Sequence, residues 1–229
     1  MTKRSPHALL VRGGWSGHEP VMTSDIVAAL LRGAGVEVTI ADSLAVYADL
    51  SVMDGLDLVV QCWTMGELTS DELAGLCGAV RSGTGLSGWH GGLCDAFRSA
   101  PEYQFMTGAQ WVAHPGGKVD YRVDVVPGRR ESPIVEGIAD FTVHTEQYYL
   151  HVDPSNDVLA TTTFRSNDEA PWIDGCVMPV VWTRSYGKGR VFCSALGHDA
   201  GDFAVPQVGE LVLRGSLWAA RDGDPAGQS

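Results

Sequence analysis

Three of the seven histidines in this 229-residue chain sit in glycine-containing turns that suit an imidazole turned away from the core. His18 closes Gly13-Gly14-Trp15-Ser16-Gly17-His18, His90 is the centre of Gly88-Trp89-His90-Gly91-Gly92, and His198 stands in Leu196-Gly197-His198-Asp199. The G-x-H-x-G string has the form of a nucleophile elbow, where small neighbours let a tight turn lift one side chain above a sheet. A serine or cysteine there would attack an acyl group, whereas an imidazole suits metal binding or proton transfer. The plainer alternative is a glycine-rich turn whose histidine bonds only to nearby backbone. Imidazoles joined by a carboxylate make a donor set for Zn²⁺ or another divalent ion, and catalytic sites of this kind keep a position for water. His18, His90 and His198 are therefore the candidate metal ligands, with Glu146 or Asp199 nearby, and His90, Glu146 and His198 are the candidate catalytic groups. The chain has no H-E-x-x-H string, so the metal expectation rests on topology.

Trp15, Trp63, Trp89, Tyr148 and Tyr149 lie beside these positions. Aromatic faces match the C–H-rich faces of sugars, so Trp15, Trp63, Trp89, Tyr148 and Asp199 are the candidate substrate contacts and a small carbohydrate the candidate ligand. Burial in the core is the competing role for each ring. Arg12 is placed to meet an anion or, more ordinarily, to pair with a carboxylate. Gly13-Gly14-x-x-Gly17 matches neither phosphate-binding glycine signature, and only Asp42 stands near the ribose position, so no nucleotide cofactor is expected.

These groups can meet only if the fold gathers them. Residues 7–12 read as a buried strand, Pro20 to Gly33 as a helix with Ile26, Val27, Leu30 and Leu31 at helical spacing, and 36–40 and 56–62 as further strands. Thr69-Ser70-Asp71-Glu72 forms a capping box ahead of a helix reaching about Ser82. Residues 86–89 predict a short strand, with a helix behind it from Leu93. Strands at 121–126 and 158–164, a hairpin of 180–186 and 190–195 about Gly187-Lys188-Gly189, and a helix over 205–220 complete the pattern. Alternating strands and helices predict one α/β domain over residues 1–221. The expected fold is a flavodoxin-like three-layer sandwich, a mostly parallel sheet with helices on both faces and a C-terminal antiparallel hairpin. Residues 222–229 read as a flexible tail. In such a sheet ligands bind outside the carboxyl ends of the strands, where His18, His90 and His198 fall.

A formal net charge of -12 disfavours nucleic acid as a partner, since binding one needs clustered Lys and Arg. No apolar run approaches the ~20 residues of a bilayer span, and residues 1–7 are polar with no secretory h-region behind them, so a cytoplasmic protein without membrane contact is expected. The five cysteines lack a C-x-x-C pair, which argues against a disulfide framework and a thiolate zinc knot. Self-association into a homo-oligomer is compatible with this sequence.

Taken together, these residues resemble the ThuA-like (trehalose utilisation) family, which shares its fold with class I glutamine amidotransferases. The resemblance runs from Leu9 to about Ala220. It is carried by Gly17-His18, Gly88-Trp89-His90-Gly91-Gly92, Thr145-Glu146-Gln147-Tyr148, and Val181-Trp182-Thr183 through Gly187-Lys188-Gly189-Arg190-Val191-Phe192 to Leu196-Gly197-His198-Asp199. It implies carbohydrate metabolism centred on disaccharides such as trehalose. Amidotransferases place a cysteine at the elbow; His90 stands there here, so thiol-based glutamine hydrolysis is not expected. Thr145 replaces the acidic residue the family usually carries before its glutamate, which leaves Glu146 as the sole carboxylate of that segment. The leading expectation is a hydrolase or isomerase acting on a sugar or oxidised sugar. The rival is a noncatalytic sugar-binding or regulatory protein on a fold that lost its cysteine. A displaced nucleophile at Cys94 is a third reading; a buried, inert thiol is its alternative.

Overall fold

The computed structural model describes residues 4–221, so the expected tail lies outside the described residues. β1 (His7–Gly14) sends alternate side chains to opposite faces, as pleating requires: Ala8 and Leu10 enter one apolar cluster, Leu9 and Val11 the other. α1 (Pro20–Gly33) opens on proline, whose missing N–H is no loss in a first turn, and turns Val27, Ala28 and Leu31 inward. β2 (Glu37–Ala41), the single-turn α2 (Leu50–Met53) and β3 (Leu58–Thr64) follow. Only Trp63 of β3 is not buried, the pattern of a strand covered on both faces. α3 (Ser70–Arg81) carries the expected capping box: Thr69 Oγ1 accepts from the Glu72 N–H, and the Glu72 carboxylate accepts from the Thr69 N–H.

β4 (Gly85–Trp89) leads into α4 (Gly91–Cys94), a single turn that opens two residues before the helix expected from Leu93 and stops at Cys94; α5 (Pro101–Thr107) comes only after a break. The cause is local. Phe97 has φ 47°, which no continuing right-handed helix tolerates, and Pro101 can only begin a new one. Beyond it run β5 (Ala109–Ala113), β6 (Lys118–Val125), β7 (Phe141–Glu146), β8 (Tyr149–Val152) and β9 (Asp157–Thr163). The hairpin β10 (Val177–Tyr186) and β11 (Gly189–Ser194) then precedes α6 (Pro206–Ala219).

One sheet has the order β2-β1-β3-β4-β11-β10-β9-β6-β7, and β5 pairs separately with β8. β2, β1, β3, β4 and β11 are mutually parallel, in the 2-1-3-4-5 order of flavodoxin-like sheets. The remaining pairings are antiparallel. α1 and α6 cover one face with Leu31, Val208 and Leu211; α3 and α5 cover the other with Leu76, Val80, Tyr103 and Met106. This is the expected three-layer sandwich, extended at one side by the antiparallel strands. β6 serves two partners: Asp124 and Val125 pair with β9, while Lys118 to Val123 pair with β7. The β6–β7 ladder thereby carries the end of β7 back to the turn Ala200–Ala204 that follows β11. Among the described residues no helix is long and apolar enough to cross a membrane.

Candidate functional site

Four of the five parallel strands contribute at their carboxyl ends. His18 lies in the short turn after β1, Thr64 ends β3, His90 follows β4 directly, and His198 lies four residues beyond β11. Glu146 arrives as the last residue of β7. His18, His90, Glu146 and His198 are all buried, and one ligand atom from each falls within 4.8 Å of the others.

The elbow geometry is present. His90 has φ 46° and ψ −139°, a conformation that costs on the order of 1–3 kcal/mol in an ordinary residue and persists only where the surroundings enforce it. Its glycine neighbours are required by close approach. A Cβ on Gly91 would stand 2.2 Å from His18 Cε1, and one on Gly88 would stand 2.5 Å from the Gln61 carbonyl oxygen.

The hydrogen bonds decide which atoms face inward. His90 Nδ1 lies 2.9 Å from the Ala195 carbonyl oxygen, which can only accept, so Nδ1 carries the proton. Nε2 of His90 then turns towards Glu146 Oε2 at 3.1 Å and His198 Nδ1 at 3.3 Å. His18 Nδ1 is 2.8 Å from Thr64 Oγ1, and its Nε2 is 3.8 Å from Glu146 Oε2. His198 Nδ1 lies 3.2 Å from the same oxygen. Around these, Tyr148 stacks on His90 with ring centroids 4.0 Å apart. Asp202 Oδ2 accepts from the His198 N–H at 2.8 Å and the Thr145 hydroxyl at 2.6 Å. Thr145 thus holds the carboxylate that fixes the His198 loop.

Burial works against charge on both Glu146 and His90. For Glu146 the desolvation is outweighed by the imidazoles of His18, His198 and His90 packed around its carboxyl, which hold it well below its usual range. Burial pushes His90 down to about 4, only partly offset by Glu146. The neutral-pH state is an ionised carboxylate among imidazoles of which His90 is neutral. A divalent ion fits such a set: tetrahedral bonds of ~2.0–2.1 Å place ligand atoms ~3.3–3.4 Å apart, and three of the separations above are 3.1, 3.2 and 3.3 Å.

Of the expected substrate contacts, Tyr148 is against the cluster, and Trp15, 48% exposed, meets His18 edge-on at 4.7 Å. Trp89 is not positioned to line a pocket. It is buried in the core edge-on to Phe203, because consecutive residues at a strand end point to opposite faces. Trp63 packs over Gly13 and Gly66. Asp199 pairs with Lys118 and caps the turn Ala200–Ala204. Arg12 pairs with Asp25 and Asp42 rather than with an anion. Sequence reasoning missed His114, whose Nε2 lies 3.6 Å from the second carboxylate oxygen of Glu146. Its one signal is the nearby Trp111, at 5.6 Å between ring centroids.

Cys94 is buried in the apolar layer beside α5, and burial raises its thiol far above the usual range, as it does that of Cys193. Burial also pushes Cys62 to about 12 and Cys77 to about 11. Since the thiolate is the reacting form, brief iodoacetamide treatment of the native chain at neutral pH should modify Cys176 alone, which is partly exposed. Peptide mass spectrometry showing rapid carbamidomethylation of Cys94 would revive the displaced nucleophile.

A family model described as trehalose utilisation, ThuA, matches residues 7–219. A ThuA-like protein from Parabacteroides merdae superposes with a TM-score of 0.75 at 19% identity, over 94% of this chain and 90% of that one. A ThuA-like protein from Bacteroides uniformis gives 0.75 at 16% identity, over 94% and 92%. A cytoplasmic protein of Salmonella typhimurium gives 0.63 at 14%, over 95% and 100%. None of the curated proteins matches in sequence. At these identities the superpositions speak to the fold alone.

Proposed function

The chain belongs to the ThuA family, described as trehalose utilisation, and on that footing we propose that it is a carbohydrate enzyme whose centre is His18, His90, Glu146 and His198 around a divalent metal, zinc or a relative. Its substrate is a disaccharide such as trehalose, or an oxidised form of one, and its setting is the cytoplasm. One observation carries the metal: the Nδ1–H of His90 is committed to the Ala195 carbonyl, so its Nε2 lone pair faces the Glu146 carboxylate at 3.1 Å. Two acceptors at that distance repel unless a cation or a proton lies between them. A divalent ion there would accept both lone pairs, and the donor separations match those such an ion sets.

A divalent ion held there would polarise a sugar carbonyl or hydroxyl oxygen as a Lewis acid. The chain supplies the rest. Thr64 and Ala195 orient the His18 and His90 rings as partners of metal-ligating imidazoles do, and Tyr148 stacks against His90 to fix its plane. His114 lies beside Glu146 on the more exposed side of the cluster, with 37% of its side chain accessible. That is where an imidazole can exchange protons with solvent and move one to or from a sugar oxygen. Hydrolysis and isomerisation both need such a group.

The test is turnover. The metal-replete chain, incubated with trehalose, 3-ketotrehalose and their monosaccharides and followed by NMR, should yield product from at least one, and EDTA should abolish the reaction. Saturable sugar binding with no product from any of them would mean a binding protein instead.

A further inference from the structure

A groove of about 510 Å³ opens beside the cluster, lined by Trp111, His114, Tyr149, Ala170, Trp172 and Ile173. Its most unusual member is Trp172, carried on the turn Pro171–Ile173 with 79% of its surface exposed. The exposed indole shares this groove with Trp111 and Tyr149, and together they form the contiguous apolar surface that a ligand ring can cover.

The groove is continuous with the site already described. His114 lines it and also stands 3.6 Å from Glu146 Oε1. Trp111 lines it and meets Tyr148 edge-on at 6.2 Å, and Tyr148 stacks on His90. A ligand spanning both regions would pass His114 at the junction. Glu169 is the one formally charged residue along the groove, and Arg98, which stacks on Trp111, is committed to Asp95 through two hydrogen bonds. These features suit a neutral ligand with an apolar face and hydroxyl edges. Small-molecule pockets run ~300–1,000 Å³, so the volume is ample for one sugar ring.

We propose that this groove is the subsite for the second ring of a disaccharide whose reacting ring sits at the four-residue cluster. Trp172 and Trp111 provide the stacking faces, and His114 hydrogen-bonds near the inter-ring oxygen. The inference rests on the carbohydrate reading above and adds to it the place where the second ring binds.

Calorimetric titration of the full chain, loaded with zinc, tests it with trehalose against glucose and with 3-ketotrehalose against 3-ketoglucose. In at least one pair the disaccharide should bind about tenfold or more tighter, the scale of one good aromatic contact. Trp172→Ala removes an exposed side chain and should fold normally; it should bring that ratio close to one while leaving monosaccharide affinity unchanged. Phe105→Ala, also at an exposed ring but on another surface, should preserve the ratio. Equal affinities in the parent chain, or a ratio that survives Trp172→Ala, would overturn the subsite and leave the carbohydrate reading standing. Failure of all four sugars to bind the parent chain would overturn both.

Discussion

Glu146→Gln is expected to lose metal binding by more than ~100-fold while leaving the metal-free chain at least as stable as the parent. The first half follows from charge. Glu146 is the only carboxylate among the four donors, and even outer partners of metal ligands are worth ~10–100-fold in affinity. The second half follows from the facing lone pairs. In the metal-free parent Glu146 Oε2 confronts the unprotonated Nε2 of His90 at 3.1 Å, whereas the glutamine amide can donate to that nitrogen. Excess zinc should therefore raise the parent's melting temperature, by the equivalent of ~2.7 kcal/mol at a hundred times Kd, and leave the variant unmoved. Turnover should disappear with the metal. Calorimetric melting of both proteins with EDTA and with zinc checks both halves. A metal-free variant destabilised by several kcal/mol would show instead that protonated imidazoles and the carboxylate form an ion network that stands without metal.

The largest effect on folding is expected at Trp182. This side chain is fully buried in the layer beneath α5, and its Nε1–H donates to the Thr107 carbonyl at 2.9 Å. It ties β10 to the end of α5, on the opposite side of the sheet from α6. Trp182→Ala deletes the indole and the hydrogen bond and leaves a cavity that close-packed neighbours fill only in part. Truncations of this kind cost ~3–5 kcal/mol, a fall in melting temperature on the order of 10 °C for a chain of this size. At a temperature where the variant is folded, its zinc affinity should match the parent's, because Trp182 touches none of the four donors. Urea titration and zinc titration of one preparation separate the two quantities. A loss of only ~1 kcal/mol would mean that the site collapses around the missing ring.

The two halves of the molecule were unequally legible. The parallel half follows local rules: alternating β1, the capping box at Thr69, and the proline that opens α1 are short-range physics visible in a string of residues. Because ligand sites in such sheets lie at strand carboxyl ends, His18, His90 and His198 could be brought together from topology although 180 positions separate the first from the last. Glu146 is named from the sequence as a candidate, but no predicted element carries it to the site. Its delivery depends on β6 changing partners between Val123 and Asp124, a long-range event with no local signature. β7 does alternate buried and exposed residues, but β5 and β8 are short and irregular, so His114 was placed in no element and its meeting with Glu146 was hidden. Trp89 was misassigned for a reason the sequence did contain, since a residue next to the outward-turned His90 must face the core. The helix expected from Leu93 is instead the single turn Gly91–Cys94, and the positive φ of Phe97 beyond it has no signature in a phenylalanine.

On the proposed function, three imidazoles and one carboxylate from four separate strand ends hold a single divalent ion. X-ray absorption at the zinc edge, on the full chain loaded with one equivalent of zinc, addresses it most directly. The account predicts a nitrogen and oxygen shell at ~2.0–2.2 Å with the outer scattering of imidazole rings, lost in His90→Ala. A sulfur scatterer at ~2.3 Å, or the spectrum of hydrated zinc without imidazole, would contradict it.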